Sequence, residues 1–324
     1  MFENPSRTRP VVADEIWRPV LAEAAQQAIH TTVHSAFDHA VNIVVDGELL
    51  TLLASTGRPQ PGAMITSQRH FVGVRAGEAV ALREHAVVLG NAGSSALAVD
   101  VHGITYFTCR VEPLTASALE TRDPFDDGEP PYSIDPPGAF TPNPSQLPFD
   151  RAVAVRLQHA RSAFSLALAG QLSQRPTSPL NSLRRAIADL IGLGIGLTPS
   201  GDDYLVGALA TLSLHPDSAD ARLAVAVCLS DLLLGSDGAG RTTDISRHFL
   251  IAACKRSFHH DLAAAGRALL EHDARAISET FAATAAIGST SGSDALTGLV
   301  DAHNLLLRPI PGQLPANLKV NTHD

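Results

Sequence analysis

The chain has 324 residues, of which 45% are apolar and 18% are charged, and its formal net charge is −9. This length exceeds that of most single-core domains and predicts two domains. The negative charge, with no basic stretch interleaved with aromatic residues, excludes a general nucleic-acid-binding surface. Three scattered cysteines without a CxxC pair, no signal-peptide pattern and no apolar stretch of membrane-spanning length predict a cytoplasmic protein without membrane contact.

The first third of the chain is predicted to be rich in strands. Residues 12–30 have the pattern of a short helix, and short apolar runs follow as far as about residue 110. Asp46-Gly47 divides two of these runs and favours a tight hairpin turn. His102-Gly103 divides another two in the same way, with a weaker turn signal. Two further short strands are expected in between, at residues 70–75 and 85–90.

The predicted domain organisation follows from changes of composition along the chain. Residues 1–121 are expected to form a β-rich domain, a sandwich or a barrel, with the N-terminal helix. Residues 122–150 are rich in proline and acidic residues and bury too little apolar surface to order themselves, so they are expected to be a linker or a surface loop. In residues 151–324 the apolar residues recur at helical spacing, which predicts an α-helical bundle domain. The predicted fold class is therefore α+β.

Two related segments lie in the helical half. "IGLTPSGDDYLVG" occupies residues 195–207, and "IGSTSGSDALTG" occupies residues 287–298. Aligned from Ser200 and Ser291, most of the following positions are identical. Each segment places a turn of glycine and polar residues before an apolar helix, so the same local structure is expected twice.

The simplest interpretation of both segments is a helix cap. Ser200 and Asp203, like Ser291 and Asp294, have the spacing of a capping box, in which the serine accepts from an amide one turn on and the acid bonds back to the cap amide. An acid in the first turn also interacts well with the helix dipole. This interpretation leaves Thr198 and the glycines ahead of Ser200 unexplained.

The second interpretation adds a ligand to the cap, and we favour it. Glycine-rich turns let another group approach the backbone closely. Two helix N-termini offer amide donors and positive dipole ends, the ingredients of an anion site, although the lysine of a P-loop is missing. The candidate anion-binding residues in these segments are Gly196, Thr198, Ser200, Gly201, Ser291, Gly292 and Asp294.

A third polar cluster, "GSDGAGRTTDISRHF" at residues 235–249, lies between the two segments. Arg241 follows several glycines, and a guanidinium group there suits a phosphate or a carboxylate. Thr242 and Thr243 join the candidate anion-binding residues, although Thr243 is also placed to cap the next helix.

No cofactor is required by a motif. Asp202 is the candidate ligand for Mg²⁺ beside a phosphate, because carboxylate oxygens suit this ion and the neighbouring Asp203 is expected to be used in capping. The HExxH pattern of zinc enzymes and the GxSxG pattern of a serine nucleophile are both missing from the sequence.

The three clusters together resemble a known family. "GLTPSGDD" before an apolar helix, then "RTT" followed by "IS", then the late "TSG" segment are similar to the AllH-type family. That family was formerly a domain of unknown function and is now linked to one subunit of a heteromeric oxamate carbamoyltransferase. The similarity is closest from about residue 190 to 300, and the β-rich first half is compatible with it.

The resemblance implies transfer of a carbamoyl group between phosphate and a small amide-bearing acid, late in purine-ring nitrogen breakdown. Such chemistry depends on orientation and on charge stabilisation more than on a nucleophile. Asp202, Asp203 and Arg241 are then the candidate catalytic residues, with a small anionic substrate and other protein subunits as partners. The competing interpretation is a non-catalytic scaffold or a small-anion-binding module within a larger complex. Convergence of the three clusters on one pocket would favour a ligand site.

Overall fold

The computed structural model describes residues 7–8, 10–90, 96–119, 139–140, 147–173, 180–236, 238 and 240–307. Strands come first and helices follow, which confirms the α+β class. Most of the predicted linker, residues 122–150, lies outside the described residues.

The described strands form one sheet, with helix α1 (Trp17–Gln26) between the second and third strands. The strands are β1 (Arg7–Thr8), β2 (Pro10–Asp14), β3 (Ile29–Phe37), β4 (Ala40–Val45), β5 (Glu48–Leu53), β6 (Ala63–Thr66), β7 (Ala79–Arg83), β8 (Ala86–Leu89), β9 (Leu97–Asp100) and β10 (Thr105–Phe107). Their order across the sheet is β1-β9-β8-β7-β3-β4-β5-β6-β2-β10.

Strand β3 joins the two halves of this sheet. Its beginning pairs antiparallel with β7, and its end pairs antiparallel with β4. The sheet curls, so that Ile43 of one half and Leu82 of the other share a core with Trp17 of α1. The first half of the chain is thus β-rich with an N-terminal helix, as predicted.

The hairpin at Asp46-Gly47 is confirmed, whereas the one at His102-Gly103 is wrong. Asp46 (φ 50°) and Gly47 (φ 80°) join the antiparallel strands β4 and β5, and a two-residue turn with positive φ matches the twist of paired strands. At His102-Gly103 the chain instead crosses the sheet, because β9 lies between β1 and β8 near one edge while β10 pairs with β2 at the other. Turn propensity is local and does not decide which strand edge comes next.

Two other local predictions differ from the structure. Residues 70–75 form no strand: Phe71 is buried, but Val72 is 88% exposed and Gly73 has a φ of 88°, which breaks the extended backbone. The beginning of the predicted helix, residues 12–14, belongs to β2, because this segment pairs with both β6 and β10.

The second half of the chain is helical. Its described helices are α2 (Ala116–Leu119), α3 (Pro148–Leu172), α4 (Leu180–Leu190), α5 (Ser200–Leu214), α6 (Ala219–Leu234), α7 (Asp244–Cys254), α8 (His260–Leu270), α9 (Ala274–Ala285) and α10 (Ser291–Leu306). The sequence patterns predict all of them except α2 and α9, whose buried apolar residues are few. None of the described helices has the length and apolar character needed to cross a bilayer.

Helices α5 and α10, which carry the two related segments, cross at two glycines. A Cβ on Gly207 would lie 1.8 Å from the carbonyl oxygen of Ala295, and a Cβ on Gly298 would lie 1.9 Å from that of Tyr204. Only glycine permits this approach. Gly207 matches Gly298 in the alignment, and Tyr204 matches Ala295, so exchanging the helices exchanges the contacts. The pair therefore has an approximate two-fold axis, with both N-termini side by side.

Helices α7 and α8 hold the helical half against the sheet. The ring Nε2 of His248 lies 3.0 Å from the carbonyl oxygen of Pro61, and the amide of His260 donates to that of Pro59 at 2.8 Å. Arg58 forms an ion pair with Asp261 at 3.1 Å. These contacts fix the segment after β5 beside the N-termini of α5 and α10.

Candidate functional site

A cavity of about 450 Å³ lies between the sheet and the N-termini of α5 and α10. This volume is within the range of small-molecule sites. The sheet contributes Phe37, Ala40, Asn42, Leu49, Thr51 and Leu53. The helical half contributes, among others, Gly196, Leu197, Thr198, Asp203, Ser291, Gly292 and Ala295. Among the described lining residues none is Lys or Arg.

Glycines shape the turn that leads into α5. Gly192 (φ 72°) and Gly194 (φ 136°) have backbone conformations that favour glycine. A Cβ on Gly192 would lie 2.1 Å from the carbonyl oxygen of Arg241, and one on Gly194 would lie 2.4 Å from the amide nitrogen of Ser200. Gly192 is therefore needed to pack this turn against the third polar cluster, and Gly194 is needed to pack it against the start of α5.

Asp203, Thr198 and Ser291 form the polar floor of the cavity. The hydroxyl oxygens of Thr198 and Ser291 are 2.6 Å apart, and both hydroxyls lie near the carboxyl group of Asp203, whose pKa they lower. Burial raises the pKa of Asp203 well above its usual value, and the nearby carboxylate of Asp294 raises it further. Its Oδ2 is buried and has no hydrogen-bond partner among the described residues.

The capping boxes predicted for α5 and α10 are wrong. Neither helix has a side-chain hydrogen bond at its cap position. Each serine instead lies near the carboxyl group of the other helix, Ser291 near Asp203 and Ser200 near Asp294, and lowers the pKa of that group. The reason is the glycine crossing, which brings each first turn against the other helix.

Asp202 is fully buried and holds two loops together. One carboxylate oxygen accepts the amide of Gly192 at 2.9 Å, and the other accepts the hydroxyls of Ser246, at 2.7 Å, and Thr242. Burial raises its pKa, while these three bonds lower it. Because both oxygens already have partners and Asp202 does not line the cavity, this donor set does not fit a Mg²⁺ ion beside a ligand. No cluster of His, Cys, Asp or Glu with metal-binding geometry occurs in the part of the chain that the structure describes.

The candidate anion-binding residues of the third polar cluster lie outside the cavity lining, to which the cluster contributes only the apolar Ile245 and Phe249. Thr243 caps α7 by accepting the amide of Ser246 at 3.1 Å, as the sequence suggests, and it donates to the carbonyl oxygen of Leu197. Arg241 and Thr242 do not line the cavity. The Nε of Arg241 is buried and has no partner within the described ranges.

Few of the helix-terminal amides are available as donors to a ligand. The amides of Gly201, Asp202 and Asp203 donate to backbone carbonyls, as do those of Gly292 and Asp294. Side-chain hydroxyls are therefore the polar groups that both related segments turn toward the cavity.

Two family models match the chain. The AllH family N-terminal domain matches residues 11–106, and the oxamate carbamoyltransferase subunit AllH matches residues 190–303, so that together they cover most of the chain. The chain belongs to the AllH family. Neither a curated protein nor a solved structure matches it. The cavity lies between the two AllH segments, since the sheet residues belong to the first match and α5 and α10 to the second.

Two of the three predicted clusters of this AllH chain bring candidate site residues to the cavity, whereas the third contributes only apolar side chains. Gly196, Thr198 and Asp203 come from the first segment, and Ser291 and Gly292 come from the second. The remaining predicted residues, Ser200, Gly201, Asp202, Arg241, Thr242, Thr243 and Asp294, lie behind this lining.

The sequence analysis misses the polar residues that the sheet and α8 contribute. The hydroxyl of Thr51 donates to the side-chain oxygen of Asn42 at 2.7 Å on the cavity wall. His259 also lines the cavity, and burial lowers its pKa to about 4, so its ring is neutral at pH 7. A polar Asn42 within the apolar run of β4 is the signal that could have indicated the wall.

Proposed function

We propose that this chain acts as the AllH subunit of an oxamate-carbamoyltransferase-type enzyme and that its cavity binds a small acid bearing a carbamoyl group. The observation that carries the proposal is the meeting of both family segments at one cavity, with Thr198, Asp203 and Ser291 as its floor. The family description names a subunit, so partner subunits are part of the proposal.

The cavity is suited to orient a small ligand rather than to attack it. Its walls are mainly apolar, while the hydroxyls of Thr198 and Ser291 offer hydrogen bonds at one end. An anionic group would face the positive ends of the α5 and α10 dipoles. Arg241 remains the candidate counter-charge, because its buried Nε lacks a partner within the described residues.

A non-catalytic subunit is the second candidate function. It is favoured by the lack of Lys and Arg among the described lining residues and by the five helix-terminal amides that already donate to backbone carbonyls. In this case the anion site would be supplied by a partner subunit.

A thermal-shift titration of the purified chain distinguishes the two functions. Oxamate, carbamoyl phosphate and inorganic phosphate would each be tested with and without Mg²⁺. A ligand at a hundred times its dissociation constant stabilises the folded state by about 2.7 kcal/mol. We expect a saturable shift that weakens in Ser291→Ala, with Thr280→Ala as the control, because the Thr280 hydroxyl bonds within α9 away from the cavity. A flat response would favour the scaffold.

A further inference from the structure

The approximate two-fold axis of α5 and α10 creates two equivalent carboxylate sites. Asp203 meets the hydroxyls of Thr198 and Ser291, and Asp294 meets those of Ser200 and Thr290. Each carboxylate is thus approached by the serine of the other helix and by a threonine from the turn before a helix.

The Asp294 site is filled by the protein itself. The backbone amide of Ala139 donates to Oδ1 of Asp294 at 2.9 Å. The next residue, Phe140, is buried, and its ring centroid lies 5.1 Å from that of Tyr204. A peptide N–H with an adjoining apolar group therefore occupies this site, while Oδ2 of Asp294 is buried without a hydrogen-bond partner among the described residues.

The Asp203 site lacks these groups. No backbone amide hydrogen-bonds to Asp203 within the described residues, whereas the amide of Ala139 does so at Asp294; Oδ2 is buried without a partner at both carboxyl groups. Ala295 stands where the other site has Tyr204, and it lines the cavity. At the Asp294 site this space is filled by the rings of Phe140 and Tyr204. At the Asp203 site the small side chain of Ala295 leaves the corresponding space open.

We infer that Asp203 accepts an N–H group of a primary amide or carbamoyl ligand, in the position that the amide of Ala139 fills at Asp294. A buried acceptor without a partner is costly, so the site favours a ligand that brings a donor over one of equal shape that does not. This inference rests on the proposed function and deepens it, because it assigns the carbamoyl end of the ligand to Asp203.

Oxamate and pyruvate form a matched pair of probes. Both are singly charged 2-oxo acids of nearly equal shape, and they differ by an NH₂ group in place of a CH₃ group. Isothermal titration of the full chain should show oxamate binding at least about tenfold more tightly than pyruvate. In Asp203→Leu the ratio should fall to about one. Asp189→Asn, which removes an exposed carboxylate on α4, should keep the ratio of the unaltered chain.

The outcomes separate this inference from the proposed function. Equal binding of oxamate and pyruvate to the unaltered chain overturns the inference and leaves the proposed cavity intact. A preference for oxamate that persists in Asp203→Leu also overturns the inference, because a group other than Asp203 then accepts the hydrogen bond from the NH₂ group. Binding of neither acid overturns both. The comparison of oxamate with pyruvate in the unaltered chain tests the inference even if Asp203→Leu does not fold.

Discussion

Two neighbouring carboxylates, Asp202 and Asp203, have different roles although they share the first turn of α5. Asp202 faces away from the cavity and joins the Gly192 turn to α7 through three hydrogen bonds. Asp203 faces the cavity and keeps an unpartnered oxygen within the described residues. The first is therefore a structural residue, and the second is the candidate for ligand binding.

Removing Asp202 should reduce the stability of the fold. In Asp202→Ala the amide of Gly192 and the hydroxyls of Thr242 and Ser246 lose their acceptor. Buried donors left unpaired cost about 1–3 kcal/mol each, so we expect the free energy of unfolding to fall by about 2 kcal/mol or more in urea denaturation. Asp189→Asn serves as the exposed control. A change below about 0.5 kcal/mol, typical of surface substitutions, would contradict the role given to Asp202.

Asp203 should make stability depend on pH. Its pKa in the folded chain lies well above the usual 3.8, so folding takes up a proton at this group. Its contribution is then fully present at low pH and is lost as the pH rises from about 4 toward the folded pKa. We expect the free energy of unfolding of the unaltered chain to fall relative to that of Asp203→Asn over this range. Urea denaturation at a series of pH values measures the difference, and parallel curves would show that Asp203 is not perturbed.

At the scale of elements, the helix pair α5 and α10 is the centre of the site. Its two glycines permit the crossing, and the crossing in turn brings Ser200 to Asp294 and Ser291 to Asp203. The repeated motif therefore forms one two-fold symmetric contact between α5 and α10 rather than two separate helix caps.

Alanine at either crossing glycine should disrupt the pair. A Cβ at Gly207 or Gly298 would lie within 2 Å of a carbonyl oxygen, so the helices must separate. We expect Gly207→Ala and Gly298→Ala each to lower the free energy of unfolding by about 3 kcal/mol or more, measured by urea denaturation. Gly196→Ala is the control, because a Cβ added at this position would have no atom within 4 Å. Its only expected cost is the backbone strain of alanine at a φ of 106°, about 1–3 kcal/mol. Similar losses at all three positions would argue against the close crossing.

At the scale of the whole molecule, the cavity needs both halves of the chain. Asn42 and Thr51 belong to the sheet, whereas Asp203 and Ser291 belong to the helical half. The contacts of α7 and α8 with the segment after β5 set the distance between these walls.

A substitution on the sheet wall should therefore weaken ligand binding. Asn42→Leu replaces the polar side chain that pairs with Thr51 by an apolar one of similar size. We expect the affinity for oxamate to fall by about fivefold or more in isothermal titration, since a hydrogen-bonding position is lost. Ser35→Ala removes another partner of Asn42 that does not line the cavity, and it should change the affinity less. Unchanged binding in Asn42→Leu would place the ligand elsewhere.

The sequence alone determined the order of strands and helices, the Asp46-Gly47 turn and the two related segments, because hydrophobic spacing and turn chemistry act over a few residues. It also carried the family motif. Tertiary structure decided which serine meets which carboxylate, which of two adjacent aspartates faces the cavity, and where the strands after His102-Gly103 pair. These features depend on contacts between residues some ninety positions apart, and local pattern does not encode the approach of two helices at Gly207 and Gly298.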